Sequence, residues 1–248
     1  MKIKSAVIVS GVISIFTLTL VTFQQEKKEQ IVDLSIYPIA DYDAKLPDDK
    51  TERELRQIEN KRFDRETWVE SNPHPDTDAI GKYGEDPLPN AIPDEESDLI
   101  LTGRIVESRA FMSNNKQGVY SEYEVEPIEI IKSDVRRPEN SKRKIRIDRA
   151  GGWVRYPNGR KVLYIDLRSD LPKVGKEYLL FLSNDGKGVN YKLITGYEIS
   201  SDNLVPLDSL SGLSSIKDKK IGEIKDIVRN RDPVTQNRRR NSHSSFCF

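Results

Sequence analysis

The chain of 248 residues has a single cysteine, Cys247, next to its C-terminal residue. No internal disulfide can form, so the fold must be held by its apolar core rather than by crosslinks. Histidine is nearly as scarce. His74 and His243 are the only two, and both fall in stretches with no regular period. Nucleophilic catalysis needs a nucleophile and a base in fixed geometry, and these positions argue against a Ser-His-Asp site. Zinc centres draw on Cys and His at short spacing, which the chain lacks. Asp76-Thr-Asp78 opens like a calcium loop, but its fifth and twelfth positions are Ile80 and Pro87, which supply no side-chain oxygen. There is no G-x-x-x-x-G-K-S/T loop and no G-x-G-x-x-G. Gly151-Gly152 is a bare pair, read as a bulge rather than a phosphate cradle. The sequence implies no metal and no cofactor. Carboxylates are abundant, and Asp166 with Asp170 could serve as an acid-base pair.

What is present begins at the N-terminus. Lys2 and Lys4 precede an uncharged run from Ser5 to Phe23, and Gln24-Gln25-Glu26-Lys27-Lys28 ends it. A helix needs about 20 mostly apolar residues to cross a bilayer. The flanking lysines favour an N-inside orientation. No small-residue cleavage site follows the run, so residues 1–25 read as a signal anchor, with a cleaved signal peptide as the alternative. Either way, the bulk of the chain is expected to be extracytoplasmic.

The net charge of zero hides an asymmetry. Glu26 to Asp98 carries 21 acidic and 10 basic residues, whereas Leu99 to Phe248 carries 19 acidic and 28 basic. The two parts attract. They are either two solvated surfaces or an acidic arm that folds back on a basic face. Residues 26–96 read as an acidic linker holding one helix. Thr51-Glu52-Arg53-Glu54 fits a capping box, and the spacing predicts a surface helix over about 52–68 with Leu55, Ile58, Phe63 and Trp68 as its sparse apolar face. Asn72 to Glu96 is rich in Pro, Asp and Gly and reads as a loop.

From Leu99 to Leu207 the pattern is that of short strands separated by turns. Asp98–Glu107 is a strand, Asn114–Gly118 a turn, and Tyr120–Ile131 a long strand. In that long strand Glu122, Glu124 and Glu126 oppose Tyr123 and Val125. After Pro127 the phase slips to Ile128 and Ile130, which predicts a β-bulge. Arg143–Arg149 alternates with Ile145 and Ile147 inward and Asp148 outward. Pro157-Asn158-Gly159 marks a hairpin between 153–156 and 160–165. Glu177–Ser183 is apolar on both faces and is expected to be the most buried strand. Val189 to Ile199 places its alternate residues on one face, and 203–207 adds a short closing strand. Ser214 to Val228 returns to helical spacing and is expected to pack on the barrel, within a C-terminal segment 208–230. Residues 231–248 read as a disordered basic tail.

Ser97-Asp-Leu-Ile-Leu-Thr-Gly-Arg-Ile-Val, followed by the long Tyr/Glu-rich strand and Val174-Gly-Lys-Glu-Tyr-Leu-Leu-Phe-Leu, resembles a pattern in uncharacterised secreted bacterial proteins. It is also similar to the OB-like barrel of the netrin and metalloproteinase-inhibitor domains. The resemblance covers residues 97–207 and implies a fold only. That inhibitor family acts through an N-terminal cysteine and disulfides, which this chain lacks. The fold class expected is therefore mainly β: an OB-like β-barrel with an N-terminal transmembrane helix, one surface helix before the barrel and one after.

One cluster suggests binding. Arg149, Trp153, Arg155, Tyr156, Arg160, Lys161 and Tyr164 crowd the Asn-Gly hairpin, alternating cations with aromatics. Such a face can bind single-stranded nucleic acid, but outside the cytoplasm an acidic protein segment or an anionic glycan suits it better. The same residues also fit a solvated hairpin with Trp153 on the core. The sequence thus points to a membrane-tethered, non-enzymatic binding or adaptor module held to the membrane through residues 5–23. The alternative is a cell-envelope glycan hydrolase using a carboxylate pair.

Overall fold

The computed structural model describes residues 37–66, 68, 79–82, 87–201, 203–212, 216 and 219–231. The anchor segment, Asp76 to Asp78, both histidines, Cys247 and residues 232–248 of the basic tail lie outside the described residues. Among the described residues no helix is long and apolar enough to cross a membrane.

The chain is mainly β. Five strands close a barrel: β3 (Leu99–Met112), β4 (Val119–Lys132), β5 (Ile145–Ala150), β8 (Glu177–Ser183) and β9 (Tyr191–Ser200). Around the barrel the order is β3-β4-β5-β9-β8, and β8 returns to β3. Every neighbour is antiparallel except β5 and β9, which run parallel. The short β10 (Asn203–Pro206) continues antiparallel from β9. The long strands bend through bulges. Pairing jumps from Thr102↔Glu129 to Gly103↔Pro127, which leaves Ile128 as the extra residue beside the proline. The bulge is where the sequence places it, but Ile128 does not join the core. It is 53% exposed, whereas Ile131 is buried. A second jump at Ile105/Glu107 loops out Val106. In β9, Phe181↔Thr195 is followed by Leu182↔Leu193, so Ile194 is extra. The expected single face of β9 is therefore split: Tyr191 and Leu193 point into the barrel and Tyr197 points out of it.

The barrel interior holds Leu101, Ile105, Tyr123, Val125, Ile147, Tyr178, Leu180 and Leu182, all fully buried. Each such side chain stabilises the fold by roughly 1.5–3 kcal/mol relative to exposure. Strand β8 is buried on both faces as expected, because Leu179 and Phe181 project outward beneath α2 (Ile221–Arg231). Ile224 and Val228 of α2 close that second layer, and Lys225 and Arg229 both hold Glu129.

The acidic arm is not a linker. Residues 39–41 form β1 (Ile39–Asp41), and β2 (Ala79–Lys82) lies within the stretch read as a loop. Between β5 and β8 the chain forms the hairpin of β6 (Gly152–Arg155) and β7 (Lys161–Asp166). The arm strands flank it in a four-stranded sheet of order β1-β6-β7-β2. Both arm strands pair in parallel. A three- or four-residue strand shows no readable period, and a parallel partner far along the chain leaves no local turn signal.

Helix α1 (Lys50–Arg62) starts and ends earlier than the spacing predicts. Its N-cap is Asp49, whose carboxylate accepts the Glu52 amide at 2.8 Å, so Thr51 is helical rather than capping. Phe63 terminates it and stacks on Tyr120 at 4.1 Å. The helix is also turned over. Leu55 and Ile58 are 40% and 46% exposed, while Glu59 and Asn60 are buried.

Candidate functional site

Period-two geometry divides the hairpin cluster between two faces. Trp153 lies against the main core beside Leu163, and Arg155 and Lys161, paired across the hairpin, share its side of the ribbon. Tyr156 and Tyr164 belong to the other side. Their hydroxyls lie 2.5 Å apart, Tyr156 stacks on Tyr42, and Trp68 meets Tyr164 edge-on. Arg160 is exposed at the turn. Arg149 is nearly buried and bonded to Asp208. Arg155 donates to Asp41 of the arm at 2.6 Å. The structure therefore brings together the tyrosines and, separately, the Arg155/Lys161 pair. Asp166 caps the Arg168 amide, and Asp170 accepts the Tyr37 hydroxyl.

A second constellation lies on the opposite face of the β3–β4 hairpin, where α1 crosses β4 and β5. Arg56 makes a two-pronged contact with Glu122, at 2.5 and 3.1 Å, and its guanidinium lies 3.5 Å over the Phe111 ring. Arg62 is surrounded by Glu59, Asp148 and Asp185. Glu59 accepts the backbone amides of Val189 and Asn190 at 2.5 and 3.2 Å. A Cβ at Gly188 would sit 2.5 Å from the Glu59 carboxylate, so any larger residue there would displace that side chain. The 113–118 turn is also fastened to α1: Asn114 donates to the Gln57 carbonyl, and Asn115 donates to the Asp64 carbonyl.

Three carboxylates around one guanidinium leave an excess of negative charge. Asp148 is fully buried and its Oδ1 has no hydrogen-bond partner. Burial pushes its carboxyl up to about 7; Arg62 opposes the shift, and the charges on Glu59 and Glu122 add to it. The sequence places Asp148 outward, which is correct for the barrel, but α1 covers it. The signal for this network was the polar stripe Arg56, Glu59 and Asn60 at helical spacing, which Leu55 and Ile58 outranked.

Beside α1 opens a cleft of about 490 Å³. Its walls are the 42–47 connection, the Glu52–Asn60 flank of α1, the Arg109–Met112 end of β3 and the start of the turn after it. Lys45, Lys116, Arg109 and Arg146 bring positive charge to it. Among the described residues no group of three or more His, Cys, Asp or Glu could hold a metal ion. No protein-family model matches the chain, and no curated protein matches it.

Proposed function

We propose that the chain is a membrane-tethered, extracytoplasmic binding or adaptor module on an OB-like barrel, and that its ligand enters the cleft beside α1. The single observation that carries this reading is the cleft itself: a recess walled by backbone, the rings of Tyr42 and Phe111, and five cations against four carboxylates. The strand order supports the OB-like assignment, because a five-stranded barrel closed by one parallel pair is a Greek-key barrel of that kind. Such barrels receive ligands on their second and third strands and on the loops joining strands one to two and four to five. Here these are β4, β5 and the turns 113–118 and 184–190. Helix α1 is bonded to all four. The face is thus filled from within, and the open volume is displaced to its margin. The resemblance to netrin-like domains agrees with this at the level of fold, and the apolar run at 5–23 supplies the tether.

The test is crosslinking of the full chain in its own membrane followed by mass spectrometry. Two charge-reversed variants run beside it: Lys45→Glu/Arg146→Glu in the cleft and Arg155→Glu/Lys161→Glu at the hairpin. A discrete partner lost only in the first variant supports the cleft. Loss only in the second moves the site to the hairpin. No partner in any sample, together with turnover of envelope glycan that Asp166→Asn abolishes, replaces the adaptor reading with the hydrolase.

A further inference from the structure

Strand β3 lines the cleft from Arg109 to Met112. Strand β3 pairs with β8 only from Leu99 to Arg104, and Ile105 exchanges hydrogen bonds with the backbone of Gly175 and Lys176. Beyond that point β3 continues to Met112 with β4 as its one ladder partner. The phase of that ladder is fixed at both ends. The Ser113 amide donates to the Gly118 carbonyl, and the Gly151 amide donates to the Val119 carbonyl. Antiparallel pairs alternate between bonded and non-bonded, so Phe111 and Arg109 turn their backbone groups toward Tyr120 and Glu122. Ser108, Ala110 and Met112 turn theirs away. No backbone or side-chain partner for those outward groups exists among the described residues. Ala110 itself is 8% exposed, in the apolar cluster it forms with Ala40, Val119 and Val154.

Six outward donors and acceptors, repeating about every 6.8 Å along a strand, match one kind of ligand, an extended polypeptide. The charge around the edge selects among peptides. Arg146 is well exposed, and its nearest carboxylate, Glu124 at 3.8 Å, is already bonded to Lys144 at 2.9 Å. Lys45 is also exposed, whereas Arg109, though exposed, is already bonded to Glu107 at 2.6 Å. Of the four carboxylates that line the same space, three are engaged elsewhere, Glu122 by Arg56, Glu59 by Arg62 and two amides, and Asp41 by Arg155, and the fourth, Glu52, is exposed. We propose that an extended acidic segment of a partner protein adds as a strand to the free edge of β3 at Ser108–Met112, its carboxylates meeting Lys45 and Arg146. This rests on the binding-module reading and specifies the mode and chemistry of binding.

The full chain is titrated with a fluorescent octapeptide that alternates Glu and Val. Its Lys-for-Glu counterpart, the acidic peptide N-methylated at alternate amides, and a sulfated hexasaccharide are titrated in parallel. The acidic peptide should bind at least tenfold more tightly than the other three, and it should slow hydrogen exchange at the Ser108, Ala110 and Met112 amides. Ser108→Pro removes one edge donor without touching the β4 ladder and should weaken binding at least tenfold. Lys45→Glu/Arg146→Glu, confined to exposed side chains, should do the same and guards against a folding defect in the proline variant. Equal binding of the N-methylated peptide, or binding without protection of the three amides, overturns strand addition while leaving a binding module. Binding of the hexasaccharide alone does the same. If no probe binds but membrane crosslinking still yields a partner, strand addition by an acidic segment is rejected and the module reading survives; if crosslinking is also empty, both fall.

Discussion

At the scale of the residue, the decisive group is Asp148. Its carboxyl is raised to about 7 by burial, from an ordinary unfolded value near 4. The folded chain therefore holds this proton more tightly than the unfolded chain. The stabilisation is fully present below about pH 4 and is lost as pH rises through about 7. Asp148→Asn keeps the shape and removes the titration. In thermal melts from pH 5 to pH 8.5, the gap between the variant and the wild type should widen in the variant's favour. A constant gap across that range would show that Asp148 stays ionised against Arg62. Arg62 itself is 6% exposed in its side chain and touches three carboxylates. Breaking a buried pair from one side costs about 3–5 kcal/mol, so Arg62→Met should lower the free energy of unfolding by about that much in urea titrations. Adding Asp148→Asn to that variant should recover part of the loss, since one uncompensated buried charge is then gone.

At the scale of the element, legibility followed the physics of burial. Strand β8 was readable because Tyr178 to Leu182 face two apolar layers at once. The Asn-Gly hairpin and the bulge at Pro127 were readable because each has a local cause: a left-handed glycine at Gly159 in one case, a missing amide in the other. Strands β1 and β2 were not, because their partners lie more than eighty residues away and their own residues hold no period. Helix α1 was located but turned over. Hydrophobic spacing assigns Leu55 and Ile58 inward, yet its contacts are ionic and specified by Glu122, Asp148 and Asp185 on distant strands. No local pattern encodes a helix docked by charge. The same fact predicts its response to packing changes. A Cβ on Gly118 would lie 2.5 Å from the Phe63 carbonyl, where the helix ends. Overpacking costs about 1–3 kcal/mol, so Gly118→Ala should destabilise the chain by that amount and raise proteolysis within 50–66 before it affects the barrel.

At the scale of the whole molecule, the charge asymmetry between the two parts of the sequence has a structural counterpart. The acidic arm supplies β1 and β2 to both edges of the β6–β7 hairpin and α1 to the face of β4 and β5. Individual arm contacts such as Asp41 with Arg155 and Asp43 with Lys116 are exposed, and surface pairs of this kind contribute little each. What holds the arm is burial: Tyr37, Ala40 and Phe63 are all nearly inaccessible. Removing residues 26–96 would therefore do more than uncover a basic surface. It would bare the Tyr120 ring and leave Glu122 and Asp148 without their arginines. It would also strip the hairpin sheet of both edge strands, creating two unpaired edges of the sort that aggregate. A chain beginning at Ser97 should thus lose cooperative thermal unfolding and self-associate, as followed by circular dichroism and light scattering. If it instead remains monomeric, melts in one sharp transition and binds polyanions more tightly than the full chain, the arm is a removable cover. The ligand face would then be the one that α1 now occupies.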